Sequence, residues 1–130
     1  MLERLGHGFQ LPGASEDEIR ACESGLKISL PDEYKTFLKA SNGFNDMVGA
    51  GYLVLWGTGE LAEADGYEIF EFGKDRFLIG SNGGPTAYGI VDGNYISVPF
   101  VAAGPWEEEI RILGSNFAEF ITAIESGEGW

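Results

Sequence analysis

The sequence predicts an α+β fold: an antiparallel sheet meander with two N-terminal helices and one C-terminal helix packed on it. Three observations predict it. Apolar residues recur at helical spacing twice before Asn42-Gly43 and once after Ser115, each time with start or stop signals. Between these stretches, from Gly51 to about Leu113, short runs of aromatic and β-branched residues alternate with Gly, Asn and Asp. The runs follow each other too closely for crossover connections, which favours antiparallel neighbours.

Taken in order, residues 1–14 precede the first structural signal and are expected to be loosely ordered. Ser15-Glu16-Asp17-Glu18 reads as a capping box, with acids placed to suit the helix dipole. Ile19, Cys22 and Leu26 then mark one buried face, and Gly25 loosens or ends the helix. Leu30-Pro31-Asp32-Glu33 opens a second helix, with Pro31 suited to the first helical position. Tyr34, Phe37 and Leu38 form its apolar stripe, Lys35 and Lys39 take the other face, and Asn42-Gly43 stops it with Gly43 at a left-handed C′. The predicted strands are Tyr52–Trp56, Tyr67–Phe72, Phe77–Ile79, Ala87–Val91, Tyr95–Phe100 and Glu109–Leu113. Asp92-Gly93 is a two-residue hairpin turn, and Asn82-Gly83-Gly84-Pro85 is a second turn. In the last run Ile110 and Ile112 face one way and Arg111 the other. Ser115 caps the closing helix, Phe117, Phe120, Ile121 and Ile124 make its buried stripe, and Gly127 ends it. The three helical stripes would pack on one sheet face.

Composition bounds the function. The 130 residues match the size of one domain, and 44% apolar residues with 13% aromatics are enough for a core despite the charge. The net charge is −13, with only eight Lys plus Arg. Phosphate neutralisation needs clustered cations, so nucleic-acid binding is excluded. An anionic membrane surface would repel the chain. No apolar run approaches the ~20 residues of a membrane helix. The N-terminus carries Glu3 and Arg4 and no apolar h-region, so no signal peptide is expected. A single cysteine fits a reducing cytosol, and one His with one Cys makes a zinc site or other metal centre unexpected. No cofactor motif stands out.

Candidate chemistry is sparse. His7 reads as a surface residue, and Cys22 as a small buried hydrophobe on a helix stripe. Carboxylate pairs are abundant, so a small hydrolase using paired acids is the weakest of three functional readings. Gly80-Ser81-Asn82-Gly83-Gly84 lacks the spacing of a phosphate-binding loop and is followed by Pro85, so it reads as a tight turn. Charge carries more information. Residues 40–73 hold Asp46, Glu60, Glu63, Asp65, Glu68 and Glu71 and no Lys or Arg. Glu107-Glu108-Glu109 adjoins Trp106, an aromatic anchor within a steering field.

Several of these residues resemble a known family. Leu30-Pro31-x-x-Tyr34-x-x-Phe37-Leu38-x-x-x-Asn42-Gly43 resembles the N-terminal signature of the SUKH superfamily, in its Smi/Knr-type branch. Ile79-Gly80-Ser81-Asn82-Gly83-Gly84 followed by Ala87-Tyr88-Gly89 resembles its central motif, and Leu113-Gly114-Ser115-x-Phe117-x-x-Phe120-Ile121 its closing helix. The likeness runs in order from about Ser15 to Gly127, and residues 1–130 are expected to form a single domain of this kind. One departure is Pro85, where an acid commonly follows the double glycine. The resemblance implies an α+β fold without enzymatic activity. In bacteria such domains are mostly immunity proteins that neutralise polymorphic toxins, often nucleases; in fungi they are regulators of cell-wall synthesis acting through protein partners.

The resulting expectation is a cytoplasmic binding module whose partner is a basic toxin domain. Its expected contacts are Glu60, Glu63, Asp65, Trp106, Glu107 and Glu108, with specificity in the acidic loops and an exposed sheet face. A regulatory or scaffold protein is the alternative.

Overall fold

The computed structural model describes residues 12–26, 30–59, 76–84, 86–99 and 110–127. Among the described residues, helices α1 (Glu16–Leu26) and α2 (Asp32–Ala40) lead into six strands. These are β1 (Phe44–Val48), β2 (Gly51–Leu55), β3 (Arg76–Ser81), β4 (Thr86–Val91), β5 (Asn94–Pro99) and β6 (Arg111–Gly114), and α3 (Phe117–Glu125) follows. The strands form one antiparallel meander in chain order. This is the expected α+β architecture, with two helices before the sheet and one after.

The α1 capping box forms as read: the Glu18 N–H donates to Ser15 Oγ at 3.1 Å and the Ser15 N–H donates to Glu18 Oε1 at 3.0 Å. Ile19 and Cys22 are buried; the Leu26 side chain lies outside the described residues. Pro31 stands one position earlier than expected, as the N-cap of α2, where its fixed φ of −60° with ψ of 147° meets the extended geometry of a cap. At the other end Ser41 is an extended C-cap, so Gly43 is not a left-handed C′. Instead Gly43, at φ 124°, turns the chain into β1, while the Ser41 hydroxyl donates to its carbonyl at 2.7 Å. Asn42 becomes a clamp: its Oδ1 accepts the Thr58 N–H at 2.8 Å, tying the start of β1 to the end of β2.

β1 is a strand the sequence pattern did not reveal. The other described strands fall within two residues of their predicted bounds, while the predicted Tyr67–Phe72 run lies outside the described residues. The Asp92-Gly93 turn has both residues at positive φ, 52° and 86°, as a type I′ hairpin requires. The last strand departs from its reading. Ile110 and Leu113 pack on the core, but Ile112 is 67% exposed, because β6 is a sheet edge whose pairing with β5 shifts register between Tyr95 and Ile96. The α3 cap also moves by one residue. Asn116 Oδ1 accepts the Glu119 N–H at 2.8 Å, and the Ser115 hydroxyl is a donor to Glu119 Oε1 at 2.8 Å.

The helices meet the sheet through aromatic rings. Phe117 stacks on Phe37 with ring centroids 5.8 Å apart, and Phe120 stacks on Tyr95 at 5.2 Å and meets Tyr88 edge-on at 5.3 Å. Burial pushes the Tyr88 phenol up to about 12; burial, and then the Glu33 carboxylate, push that of Tyr95 higher still. Both rings therefore stay neutral. Tyr34 donates its hydroxyl to the Trp56 carbonyl at 2.9 Å, pinning α2 to the chain leaving β2.

Two outcomes test this packing. Phe120→Ala should lower unfolding stability by about 3–5 kcal/mol, read from urea denaturation. Glu119 is held below its ordinary value by the Ser115 N–H and then the Ser115 hydroxyl, against desolvation. A lowered folded-state pKa stabilises above the unfolded value, and the contribution is lost as pH falls from about 4.5 through the folded value. Glu119→Gln should therefore flatten the acid limb of the stability curve below pH 4.5, measured by thermal melts across pH.

Candidate protein-interaction surface

Strand alternation sorts the sheet into two faces. Tyr88 and Tyr95 touch the Phe120 ring, so their side faces the helices, together with Leu55 and Phe44 through the paired register. The opposite face carries Leu78, Ala87, Ile96 and Val98 at its centre, each no more than 1% exposed. An exposed sheet face was expected. The structure instead buries the middle of that face and leaves its margins open, at Met47, Tyr52 and Val54 on β1–β2 and at Ile112 on β6.

The β1–β2 margin is shaped. A groove of about 580 Å³ is lined by Asn45, Met47, Tyr52, Val54, Asn82, Gly83 and Gly84. Asn45, Tyr52 and Val54 arrive together through the register Asn45↔Val54 and Met47↔Tyr52, and the Tyr52 hydroxyl donates to Asn45 Oδ1. The turn between β3 and β4 closes one end. There Asn82 Oδ1 accepts the Gly84 N–H at 2.9 Å and the Thr86 N–H at 3.2 Å, an Asx-type turn. Gly83 sits at φ 81°, and a Cβ there would come within 3.0 Å of the Tyr52 ring. Glycine thus satisfies both the turn and the close approach to the aromatic wall. Asn82 is 2% exposed and its Nδ2 has no hydrogen-bond partner.

The lining is neutral and mixed apolar and amide, a surface for contact rather than proton transfer. Met47, 53% exposed, supplies a soft and adaptable apolar surface. A second groove of about 200 Å³ lies between α1 and α2, lined by Glu16, Ile19, Arg20, Glu23, Lys35 and Lys39. Its charges neutralise one another: Lys39 pairs with Glu16 at 3.3 Å, Arg20 with Glu16 at 3.8 Å and Lys35 with Glu23 at 3.9 Å. The two exposed pairs, Lys39–Glu16 and Arg20–Glu16, contribute about 0–1 kcal/mol each.

The residues singled out in the sequence separate clearly. Glu60, Glu63, Asp65, Trp106, Glu107 and Glu108 lie outside the described residues, as does His7. Cys22 is buried, and burial, then Glu23, push its thiol up, away from the reactive thiolate. Gly80-Ser81-Asn82-Gly83-Gly84 is the turn it was read as, with Gly80 and Ser81 ending β3. Among the described residues no cluster of His, Cys, Asp or Glu could hold a metal ion, and no described helix is long and apolar enough to cross a membrane. Sequence reading missed Asn45, Met47 and Tyr52 as site residues. The available signal was the Gly49-Ala50-Gly51 run after Val48, which the structure realises as a two-residue hairpin with Gly49 at φ 58° and a strand on either side.

With this geometry in place the comparisons are decisive for the family. The sequence profile of the SMI1 / KNR4 family (SUKH-1) matches residues 13–123, most of the chain. The chain belongs to the SMI1 / KNR4 family. No curated protein sequence matches it significantly. Within this SUKH-1 domain the signature residues are largely architectural. Pro31 starts α2, Tyr34 and Phe37 enter the core, Asn42 clamps Thr58, and Asn82 with Gly83 shapes the groove's end.

Asn82→Ala should unpair the Gly84 and Thr86 N–H groups and cost about 1–3 kcal/mol. Hydrogen exchange should show those two amides losing protection first, before the β4–β5 hairpin does.

Proposed function

We propose that this SUKH-1 domain is a non-catalytic protein-binding module of the bacterial immunity type, which binds and neutralises a cognate polymorphic toxin in the cytoplasm. Family membership points to protein partners in general. The observation that carries the finer reading is the charge: −13 overall, with six acids and no Lys or Arg over residues 40–73. A toxin that acts on nucleic acid needs a basic groove for its substrate, and a strongly acidic domain competes for that groove. Long-range attraction raises the association rate, while desolvated anchors set the dissociation rate. Glu60, Glu63, Asp65, Glu107 and Glu108 supply the field in this reading, and Trp106 the anchor.

The second reading for a member of this family is a regulatory or scaffold protein of the Smi/Knr type, working through different protein partners.

A tagged pull-down from native lysate, washed at low and high salt, separates the two. The immunity reading expects a stoichiometric basic toxin domain that is lost as salt rises. Recovery of cell-wall or signalling proteins instead supports regulation. With the partner in hand, reversing Glu60, Glu63 and Asp65 to Lys should slow association at least tenfold at low salt, read by stopped flow. Unchanged kinetics would remove these residues from the interface.

A further inference from the structure

The groove of the β1–β2 margin ends on an edge of the described sheet. β1 is a terminal strand of the described sheet. Its two-residue turn to β2 makes Val48 and Gly51 a hydrogen-bonded pair, and alternation along the ladder assigns the same role to Asp46↔Leu53 and Phe44↔Leu55. The main-chain groups of Asn45 and Met47 therefore point away from β2. Consistent with this, the Met47 N–H donates to the carboxylate of its neighbour, Asp46 Oδ1, at 2.7 Å. One side chain of the strand itself occupies an outward donor, a recognised means of keeping an edge from indiscriminate pairing. Asn45 and Met47 meanwhile send their side chains into the groove, beside the unpartnered Asn82 Nδ2.

We propose that β1 takes up an extended, Lys- or Arg-bearing segment of a protein partner as an added antiparallel strand, with one apolar side chain of that segment seated between Met47, Tyr52 and Gly84. The inference rests on the protein-binding reading above and adds how the partner is held. Main-chain hydrogen bonds at such an edge give affinity, and pockets for alternate side chains give specificity. Charge selects the occupant. Asp46 must leave the Met47 N–H for a strand to dock, and an incoming Lys or Arg replaces that N–H as its partner. The net charge of −13 attracts the same cations. A second copy of the chain would bring another −13 and another Asp46 to the edge, so self-pairing is opposed.

The test uses the ¹⁵N-labelled full chain and three synthetic peptides: one alternating Lys with Leu, the same peptide N-methylated on the residues facing β1, and a version with Glu for Lys. The Lys peptide should give saturable shifts at the Asn45, Met47 and Gly84 amides and at the Asn82 side-chain amide. N-methylation should weaken it at least tenfold, and the Glu version should not bind. Asp46→Asn keeps an acceptor but loses the charge, and should cut the preference for Lys over Glu at least fivefold. Gly84→Leu fills the groove where an added Cβ meets only Asn82 Oδ1, at 3.4 Å, and should weaken the Lys peptide at least tenfold with the hairpin resonances in place. Shifts elsewhere, no saturable binding, or indifference to N-methylation would overturn the proposal. So would a concentration-dependent dimer by sedimentation that shifts these same residues, since the occupant would then be a second copy. A cognate partner that binds wild type and Gly84→Leu equally would overturn this mode and leave the protein-binding reading standing. Groove binding of the Lys peptide with no protein partner in the pull-down would do the reverse.

Discussion

Phe117 is the contact on which the rest of the fold depends. Its ring meets Tyr34 and Phe37 of α2, Tyr95 of β5 and Phe120 of its own helix, with centroid distances from 5.8 to 6.3 Å. Elements from both ends of the sequence thus converge on the middle of the sheet. The backbone at the same residue makes a polar link as well. The Phe117 N–H, one of the unpaired donors of the first turn of α3, donates to Glu33 Oε2 of α2 at 2.8 Å. A carboxylate at a helix N-terminus is favoured by the helix dipole, so the link is electrostatic as well as geometric. The junction works alongside the Tyr34–Trp56 hydrogen bond of α2 and the Phe120 contacts of α3 with Tyr88 and Tyr95.

That junction determines where a binding surface can be. With helices on one face and the centre of the other face buried, the open main-chain groups and exposed apolar side chains fall at the sheet's margins. The two large apolar side chains that remain exposed among the described residues, Met47 and Ile112, lie on the two edge strands. The β1 side combines an apolar side chain with a groove, because the β3–β4 turn stands next to it. Turn and strand come together through the Val54↔Ser81 pairing of β2 with β3.

The same geometry explains what could be read from the sequence. Ile19 with Cys22, Tyr34 with Phe37 and Leu38, and Phe117 with Phe120 and Ile121 carry a strong helical period because each stripe meets the core. Asp92-Gly93 was legible because a type I′ turn admits few residue types. β1 was not, and its failure is physical. Its outer side carries Asn45 and Met47, and on its core side the half-buried Asp46 breaks the apolar run between Phe44 and Val48. Ile112 misled for a related reason, since alternation is a guide to burial only where both neighbours of a strand are present. The groove had no linear signal beyond the glycines of the β1–β2 turn, Gly49 and Gly51. Met47 and Tyr52 face each other across one hairpin, and Asn82 joins them from the β3–β4 turn only through the pairing of β2 with β3.

In the proposed binding mode, architecture and recognition draw on different residues of this domain. The family signature concentrates on positions that cap, clamp or fill the core, where a change costs stability whatever the partner. Asn45, Asp46 and Met47 lie outside that signature and carry no core burden beyond the alternating Phe44 and Val48. An edge strand with that division of labour can keep its inward side fixed while its outward side varies. A scaffold that must meet different partners on one fold needs that separation, because the substitutions that alter recognition then leave the Phe117 junction untouched.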